Sequence, residues 1–164
     1  MKNDKTVDVL NKLLEINNDR VEGYETALKE TDESDLKTLF AQLARTSSKF
    51  VTELTDEIRS MNGEPVEGTK ISGKFFRAWM DVKAALTGRD RKAILSSCEF
   101  GEDKAVDTYE DVLKDDSENL SSVQQDMVRA QYALIKADHD KVRYLRDSIS
   151  RKPGNTDQRA RASM

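Results

Sequence analysis

The chain has 164 residues, with 27 basic and 31 acidic side chains and a net charge of −4. This length suits one domain with a sizeable core, and the mild negative charge argues against a general nucleic-acid binder. A single cysteine excludes a disulfide scaffold and indicates a reducing compartment. No apolar run approaches the ~18 residues that span a bilayer. We therefore expect a cytoplasmic protein that binds neither nucleic acid nor membrane.

The first part of the chain predicts two antiparallel helices. Apolar residues spaced three, four or seven apart form one face over residues 10–28 and another over residues 36–61. Thr31 and Asp32 separate the two series and either can cap the second helix. Gly63 suits a left-handed C-cap for the second helix, and the proline that follows prevents its continuation.

Residues 64–88 predict a crossover that carries a short helix, because the apolar side chains of Phe75, Trp79, Val82 and Leu86 share one face. Two antiparallel neighbours need only a short link. A connection of this length therefore indicates a crossover between two parallel helices. We expect an all-α, ferritin-like four-helix bundle over residues 1–150. Residues 151–164 are polar and basic, and we expect them to form a disordered tail.

Two further helical series follow the crossover. The third begins after a possible cap at Asp90 and runs from Ile94 to Leu113. The fourth follows a possible cap at Ser117. Its predicted core face is formed by Leu120, Val123, Met127, Leu134, Val142, Leu145 and Ile149.

Several polar side chains fall on these apolar faces, where they predict a polar layer through the middle of the bundle. At ~100° per residue, the residues so placed are Asn17, Ser47, Cys98, Glu102, Gln131 and Asp138. A buried carboxylate requires partners. The layer is therefore either a hydrogen-bonded network or a metal site.

A two-metal site of the ferritin-like type takes a Glu from each of two helices and Glu-x-x-His from each of the other two. This chain offers Glu102 on the third helix but has Val21 at the corresponding position of the first. The second and fourth helices carry Ser47-x-x-Phe50 and Asp138-x-x-Lys141, and the one histidine, His139, lies at the edge of its face. A paired-iron site is therefore disfavoured.

Two alternatives remain for the interior. One is an iron or manganese site with fewer ligands than the two-metal type, formed by Glu102 and Asp138. His139 would join it only if its helix were rotated. The other, which we favour, is a buried network in which Glu102 meets Gln131, Asn17 or a tyrosine. In that case the chain has no catalytic residue, metal or cofactor.

The remaining candidates also have two interpretations. Cys98 is either a redox thiol or, as we favour, an inert core thiol, because Glu99 and Glu102 raise its pKa and no basic residue is adjacent. His139 is either a proton relay with the aspartates beside it or, as we favour, a structural or solvated residue. Phe76 and Met80 fall outside the face of the crossover helix, which favours a homodimer contact there.

Several strings of residues resemble a bacterial family of ferritin-like four-helix-bundle proteins described as a domain of unknown function. They include Glu22-Gly23-Tyr24, Trp79-Met80-Asp81, Gly101-Glu102-Asp103 and His139-Asp140, and they extend from about residue 10 to 147. The resemblance implies a ferritin-like fold. Some ferritin-like relatives store iron or reduce peroxides, and Glu102 is the residue that carries over to such a role. We expect a non-enzymatic binding or scaffold protein that oligomerises, the alternative being a metal-binding protein.

Overall fold

The computed structural model describes residues 2–67 and 91–150, and these are almost entirely helical with no strand among them. The four long helices are α1 (Lys2–Glu30), α2 (Ser34–Ser60), α3 (Arg91–Asp115) and α4 (Ser122–Ser150), and a 3₁₀ turn spans Ser117–Asn119. The all-α prediction is confirmed. The predicted crossover helix, with Phe76 and Met80, and the predicted tail over residues 151–164 lie outside the described residues.

The contacts between helix ends show that α2 and α3 run parallel. Arg91, the first residue of α3, forms ion pairs with Glu33 and Asp35 at the start of α2. At the other end of the molecule, Gln124 near the start of α4 donates a hydrogen bond to Glu57 near the end of α2. The α1–α2 and α3–α4 pairs are antiparallel hairpins. The end of α2 and the start of α3 therefore lie at opposite ends of the helices, the relation that the crossover prediction requires, while the residues that connect them lie outside the described ranges.

The end of α2 differs in detail from the prediction. Asn62, with φ of 59°, adopts the left-handed conformation that the sequence suggested for Gly63. Asparagine tolerates this region better than most residues. A Cβ atom at Gly63 would lie 2.7 Å from Val7 Cγ2, so glycine serves here to let the chain pass close to α1.

The start of α4 was also predicted at the wrong cap. Ser121, rather than Ser117, forms a capping box with Gln124. The Gln124 amide donates to Ser121 Oγ at 3.1 Å, and the Ser121 amide donates to Gln124 Oε1 at 2.9 Å. The Ser-x-x-Gln spacing is a known sequence signal for a helix start.

Two apolar clusters make up the core. One lies toward the start of α1 and the end of α2, and it includes Leu10, Leu13, Phe50, Leu54 and Ile58. The other lies toward the opposite end of the helices, and it includes Tyr24, Leu36, Phe40, Leu43 and Leu95. Most of the core residues predicted for α1, α2 and α3 are buried, although Val21, Leu28, Val106 and Leu113 are only partly covered.

The predicted core face of α4 was wrong at two positions. Val123 is 74% exposed and Leu134 is 46% exposed, whereas Val128, Ile135 and Val142 are fully buried. The buried face of α4 is instead a strict three-four repeat in which Gln124, Gln131 and Asp138 alternate with those three apolar residues.

No helix within residues 2–67 or 91–150 has the combination of length and apolar character needed to cross a bilayer.

Candidate functional site

Two polar layers cross the interior between the apolar clusters, and each takes one residue from every long helix. The arginine layer consists of Arg20, Ser47, Glu102 and Asp138. The tyrosine layer consists of Asn17, Glu53, Tyr109 and Gln131. All of these side chains are buried except the partly exposed Glu53. The burial predicted for Asn17, Ser47, Cys98, Glu102, Gln131 and Asp138 is confirmed.

Arg20 is the centre of the arginine layer and was not predicted. Its Nη2 donates to both carboxylate oxygens of Glu102, at 2.6 and 2.8 Å. Its Nη1 donates to the hydroxyl of Ser47, and Nη2 lies 3.9 Å from Asp138 Oδ2. The guanidinium therefore joins α1 to the three other helices.

The electrostatics keep Arg20 charged although its side chain has no exposure to solvent. Burial alone lowers the pKa of Arg20, but the negative charge of Glu102, helped by Asp138, outweighs it, and the net effect raises the pKa. Arginine suits this position because its guanidinium is weakly hydrated and carries several donors, so that Nη2 contacts Glu102 while Nη1 contacts Ser47. The charge of Glu102 is thus compensated inside the protein.

Tyr24 completes the surroundings of Glu102. Its hydroxyl donates to Glu102 Oε1 at 2.7 Å, and the Arg20 guanidinium lies 5.8 Å from the centre of its ring. Burial, followed by the charge of Glu102, raises the pKa of Tyr24 well above its ordinary value. Tyr24 therefore remains a hydrogen-bond donor at neutral pH.

Asp138 is held less tightly than Glu102. Burial raises its pKa to about 6; Arg20 opposes this rise and Glu102 adds to it. Among the described residues, its Oδ2 finds no hydrogen-bond donor. Ionised Asp138 is therefore less well compensated than Glu102.

The tyrosine layer is a continuous chain of hydrogen bonds between neutral groups and one carboxylate. Asn17 donates to the Tyr109 hydroxyl at 2.8 Å, and that hydroxyl donates to Gln131 Oε1 at 2.7 Å. Gln131 then donates to Glu53 at 3.3 Å. Burial raises the pKa of Tyr109, so the hydroxyl keeps its proton.

Of the three partners that the favoured network prediction offered Glu102, the structure shows one. Glu102 meets a tyrosine, as predicted, but Asn17 and Gln131 belong to the other layer. The structure does bring Glu102 and Asp138 toward one another, with the Arg20 guanidinium in contact with both. A pair of metal ions does not fit this donor set, because a fixed cation already binds the carboxylates.

His139 does not join Glu102 and Asp138. Its Nε2 contacts Asp103 on α3 instead, and its Nδ1 lies 3.3 Å from Asp140 Oδ1. His139, the remaining candidate metal ligand, therefore belongs to a separate cluster between α3 and α4. A relay from His139 to Asp138 has no support in these contacts, while the neighbour Asp140 does contact the imidazole.

Two other buried groups have strongly raised pKa values. Burial, with a smaller effect of Glu102, raises the pKa of the Cys98 thiol far above its ordinary value. The prediction of an unreactive core thiol agrees with this. Asp19 is also buried, and burial together with Glu15 and Glu22 raises its pKa to about 7. Its Oδ1 has no hydrogen-bond partner within the described ranges.

The sequence did contain a signal for Arg20. The buried positions of α1 include residues 10, 13, 17, 20, 24 and 27, which continue a three-four spacing. The prediction placed Val21 on the buried face of α1 because valine is apolar, whereas the spacing places Arg20 there. The presence of Glu102 and Asp138 on facing helices required a buried cation, and Arg20 was the basic residue at the right register.

Comparison with known proteins gives a family. Residues 5–115 match the model of a family described as a domain of unknown function, DUF2383. The match covers more than half of the chain and reaches the last residue of α3. No curated protein matches the chain.

Proposed function

The chain belongs to the DUF2383 family, whose description names no activity, and from this premise we propose a non-enzymatic binding or scaffold protein with a ferritin-like fold that works as a homodimer. In this proposal the polar interior fixes how the four helices pair. The activity resides on the outer surface.

The bidentate contact between Arg20 and Glu102 carries the proposal. Both side chains are fully buried, and the two carboxylate oxygens of Glu102 accept bonds from one guanidinium nitrogen. A metal ion at Glu102 would have to displace Arg20 and leave its charge buried without a partner, at a cost of several kcal/mol. This disfavours the alternative of an iron or manganese site at Glu102 and Asp138 for iron storage or peroxide handling.

The outer surface offers apolar groups for contact with a second copy. Val123, Leu134 and Tyr144 on α4 are substantially exposed. The sequence adds Phe76 and Met80 on the predicted crossover helix. Scattered exposed apolar residues are common on monomers, so those of α4 do not by themselves indicate an interface. We therefore place the proposed dimer contact at Phe76 and Met80 of the predicted crossover helix.

Iron oxidation tests the interior part of the proposal. Purified protein mixed anaerobically with Fe²⁺ and then exposed to oxygen or peroxide should oxidise iron no faster than buffer alone. Glu102→Gln should leave that rate unchanged. Rapid oxidation by the wild type that Glu102→Gln abolishes would overturn the proposal in favour of the metal-binding alternative.

Light scattering after size-exclusion chromatography tests the surface part. We expect the mass of a dimer for the wild type and of a monomer for Phe76→Ser/Met80→Ser. Val123→Ser/Leu134→Ser, which removes exposed apolar groups from α4, serves as the matched control and should remain dimeric. A strictly monomeric wild type would contradict the homodimer.

A further inference from the structure

One histidine and two carboxylates converge at the interface of α3 and α4, away from the two polar layers. Glu99 and Asp103 lie one turn apart on α3, and His139 faces them from α4. Each offers one ligand atom, and these atoms all lie within 4.8 Å of one another. We propose that Glu99, Asp103 and His139 bind a single divalent transition-metal ion, with Zn²⁺ as the best physiological match. This goes beyond the proposed binding or scaffold role and does not depend on it.

The geometry is close to that of a bound site. Ligand atoms about 2.0–2.2 Å from a tetrahedral zinc ion lie roughly 3.4 Å from one another. Glu99 and His139 are held in place, with side chains only 12% and 13% exposed, whereas Asp103 is 50% exposed. His139 Nε2 and Asp103 Oδ1 are in direct hydrogen-bond contact, so a bound ion would have to take the place of that contact and separate the two atoms. The exposed side of Asp103 leaves room for water as a further ligand.

The surrounding groups orient the ligands. His139 Nδ1 lies 3.3 Å from Asp140 Oδ1, an arrangement that directs Nε2 toward Glu99 and Asp103. A carboxylate on the far nitrogen of a metal-binding histidine is the usual second partner at such sites. Glu99 Oε2 accepts a bond from Arg146, which leaves Oε1 for the ion. Arg143 lies 4.0 Å from that oxygen.

The donor set selects the class of metal. One imidazole and two carboxylates suit first-row divalent ions, whereas Mg²⁺ and Ca²⁺ take oxygen ligands and Cu⁺ prefers sulfur. The charges of Glu99, Asp103 and Asp140 exceed those of the two arginines by one, so a dication is attracted to the cluster. A bound ion would join the helices of the second hairpin.

Isothermal titration of the untagged protein with ZnCl₂ tests the proposal. We expect one ion per chain, at least ~30-fold weaker binding for His139→Ala, and about 10-fold weaker binding for Asp140→Asn. Asp103→Asn should weaken zinc binding in the same way as His139→Ala. MgCl₂ at the same concentrations should give no binding heat.

Two matched controls separate this site from others. Asp107→Asn, an exposed change one turn along α3, should bind zinc as tightly as the wild type. Asp138→Asn should do the same, because Asp138 belongs to the arginine layer. The proposal fails if the wild type binds no zinc, if His139→Ala binds as the wild type does, or if Asp138→Asn is the variant that loses the ion. Far-UV circular dichroism checks that each variant remains helical.

Discussion

Two arginine–carboxylate pairs in this molecule have nearly the same donor–acceptor distances but opposite surroundings. Arg20 and Glu102 lie 2.6 and 2.8 Å apart, with no exposure of either side chain. Arg91 and Asp35 also form two hydrogen bonds, at 2.6 and 3.0 Å, but their side chains are 36% and 64% exposed. Distance alone does not distinguish them.

The difference lies in what each pair loses when one partner is removed. At the surface, water replaces the missing partner, and exposed ion pairs typically contribute about 0.2–1 kcal/mol. In the interior no water is available, so a remaining charge keeps its full desolvation penalty. The buried pair is therefore essential to this interior even though its formation adds little net stability, and the exposed pair serves to hold the starts of α2 and α3 together.

The sharpest test of this comparison removes each arginine in turn. Arg20→Met should lower the free energy of unfolding by about 3–5 kcal/mol, because Glu102 is left buried and uncompensated. Arg91→Met should cost less than about 1 kcal/mol. Urea unfolding followed by circular dichroism measures both.

A second substitution shows whether the loss comes from the charge. Arg20→Met/Glu102→Gln removes both charges and keeps a carbonyl that can accept the Tyr24 hydroxyl, so it should recover at least half of the loss. If Arg20→Met proves no more costly than Arg91→Met, burial does not distinguish the two pairs.

The pH dependence of two aspartates sharpens the same contrast. The pKa of Asp19 is about 7 in the folded protein against 3.8 ordinarily. Ionising it therefore lowers stability; the cost is complete above pH 7 and vanishes below 3.8. Asp19→Asn should raise the free energy of unfolding by roughly 4 kcal/mol at pH 8 relative to its effect at pH 3.5.

Asp35 provides the control of opposite sign. Its hydrogen bond with Arg91 lowers its pKa, so its charge adds stability above the ordinary pKa and loses that contribution as the pH falls through the folded value. Asp35→Asn should therefore lower stability at pH 8 and have less effect in acid. Unfolding measured over pH 2 to 8 gives both curves, and parallel curves for the two variants would contradict these assignments.

The sequence predicted the helices well because their apolar periodicity is long and regular. It also placed Glu102, Ser47 and Asn17 in the interior from register alone. It failed for Arg20 and for Val123 because apolar character was taken as the sign of burial. Half of the buried residues of α4 are polar. Exposed apolar residues such as Val123 and Leu134 therefore fitted the expected apolar pattern better than the residues that are buried.

The pairings within the polar layers depend on distances between helices. The sequence assigned Asn17, Gln131 and Glu102 to one layer. In the structure Asn17 and Gln131 bond to Tyr109, whereas Glu102 bonds to Tyr24 in the other layer. The Glu99, Asp103 and His139 cluster likewise depends on how α3 faces α4. Glu99 and Asp103 lie at helical spacing, but nothing local in the sequence places His139 opposite them.

Two tyrosines extend the comparison to uncharged groups. Tyr109 donates its hydroxyl to Gln131 and accepts from Asn17 in the interior, whereas the hydroxyl of Tyr132 donates to Glu110 at the surface. Tyr109→Phe should lower the free energy of unfolding by about 1–3 kcal/mol, because the buried Gln131 Oε1 loses its donor and Asn17 Nδ2 keeps only its bond to the Leu13 carbonyl. Tyr132→Phe should cost less than about 0.5 kcal/mol, since solvent replaces its bond. Equal losses in thermal unfolding would show that the tyrosine layer is hydrated.

Salt gives the smallest expected effect and separates the two arginine pairs without relying on the size of a single loss. A double-mutant cycle on Arg91 and Asp35 should give a coupling of about 0.5–1 kcal/mol in 50 mM NaCl that falls toward zero in 1 M NaCl, where the screening length is about 3 Å. The cycle on Arg20 and Glu102 should keep its coupling under the same change, because ions do not enter the interior. A coupling for the buried pair that fell in parallel with the surface pair would mean that water and salt reach Arg20, and its charge would then no longer require Glu102.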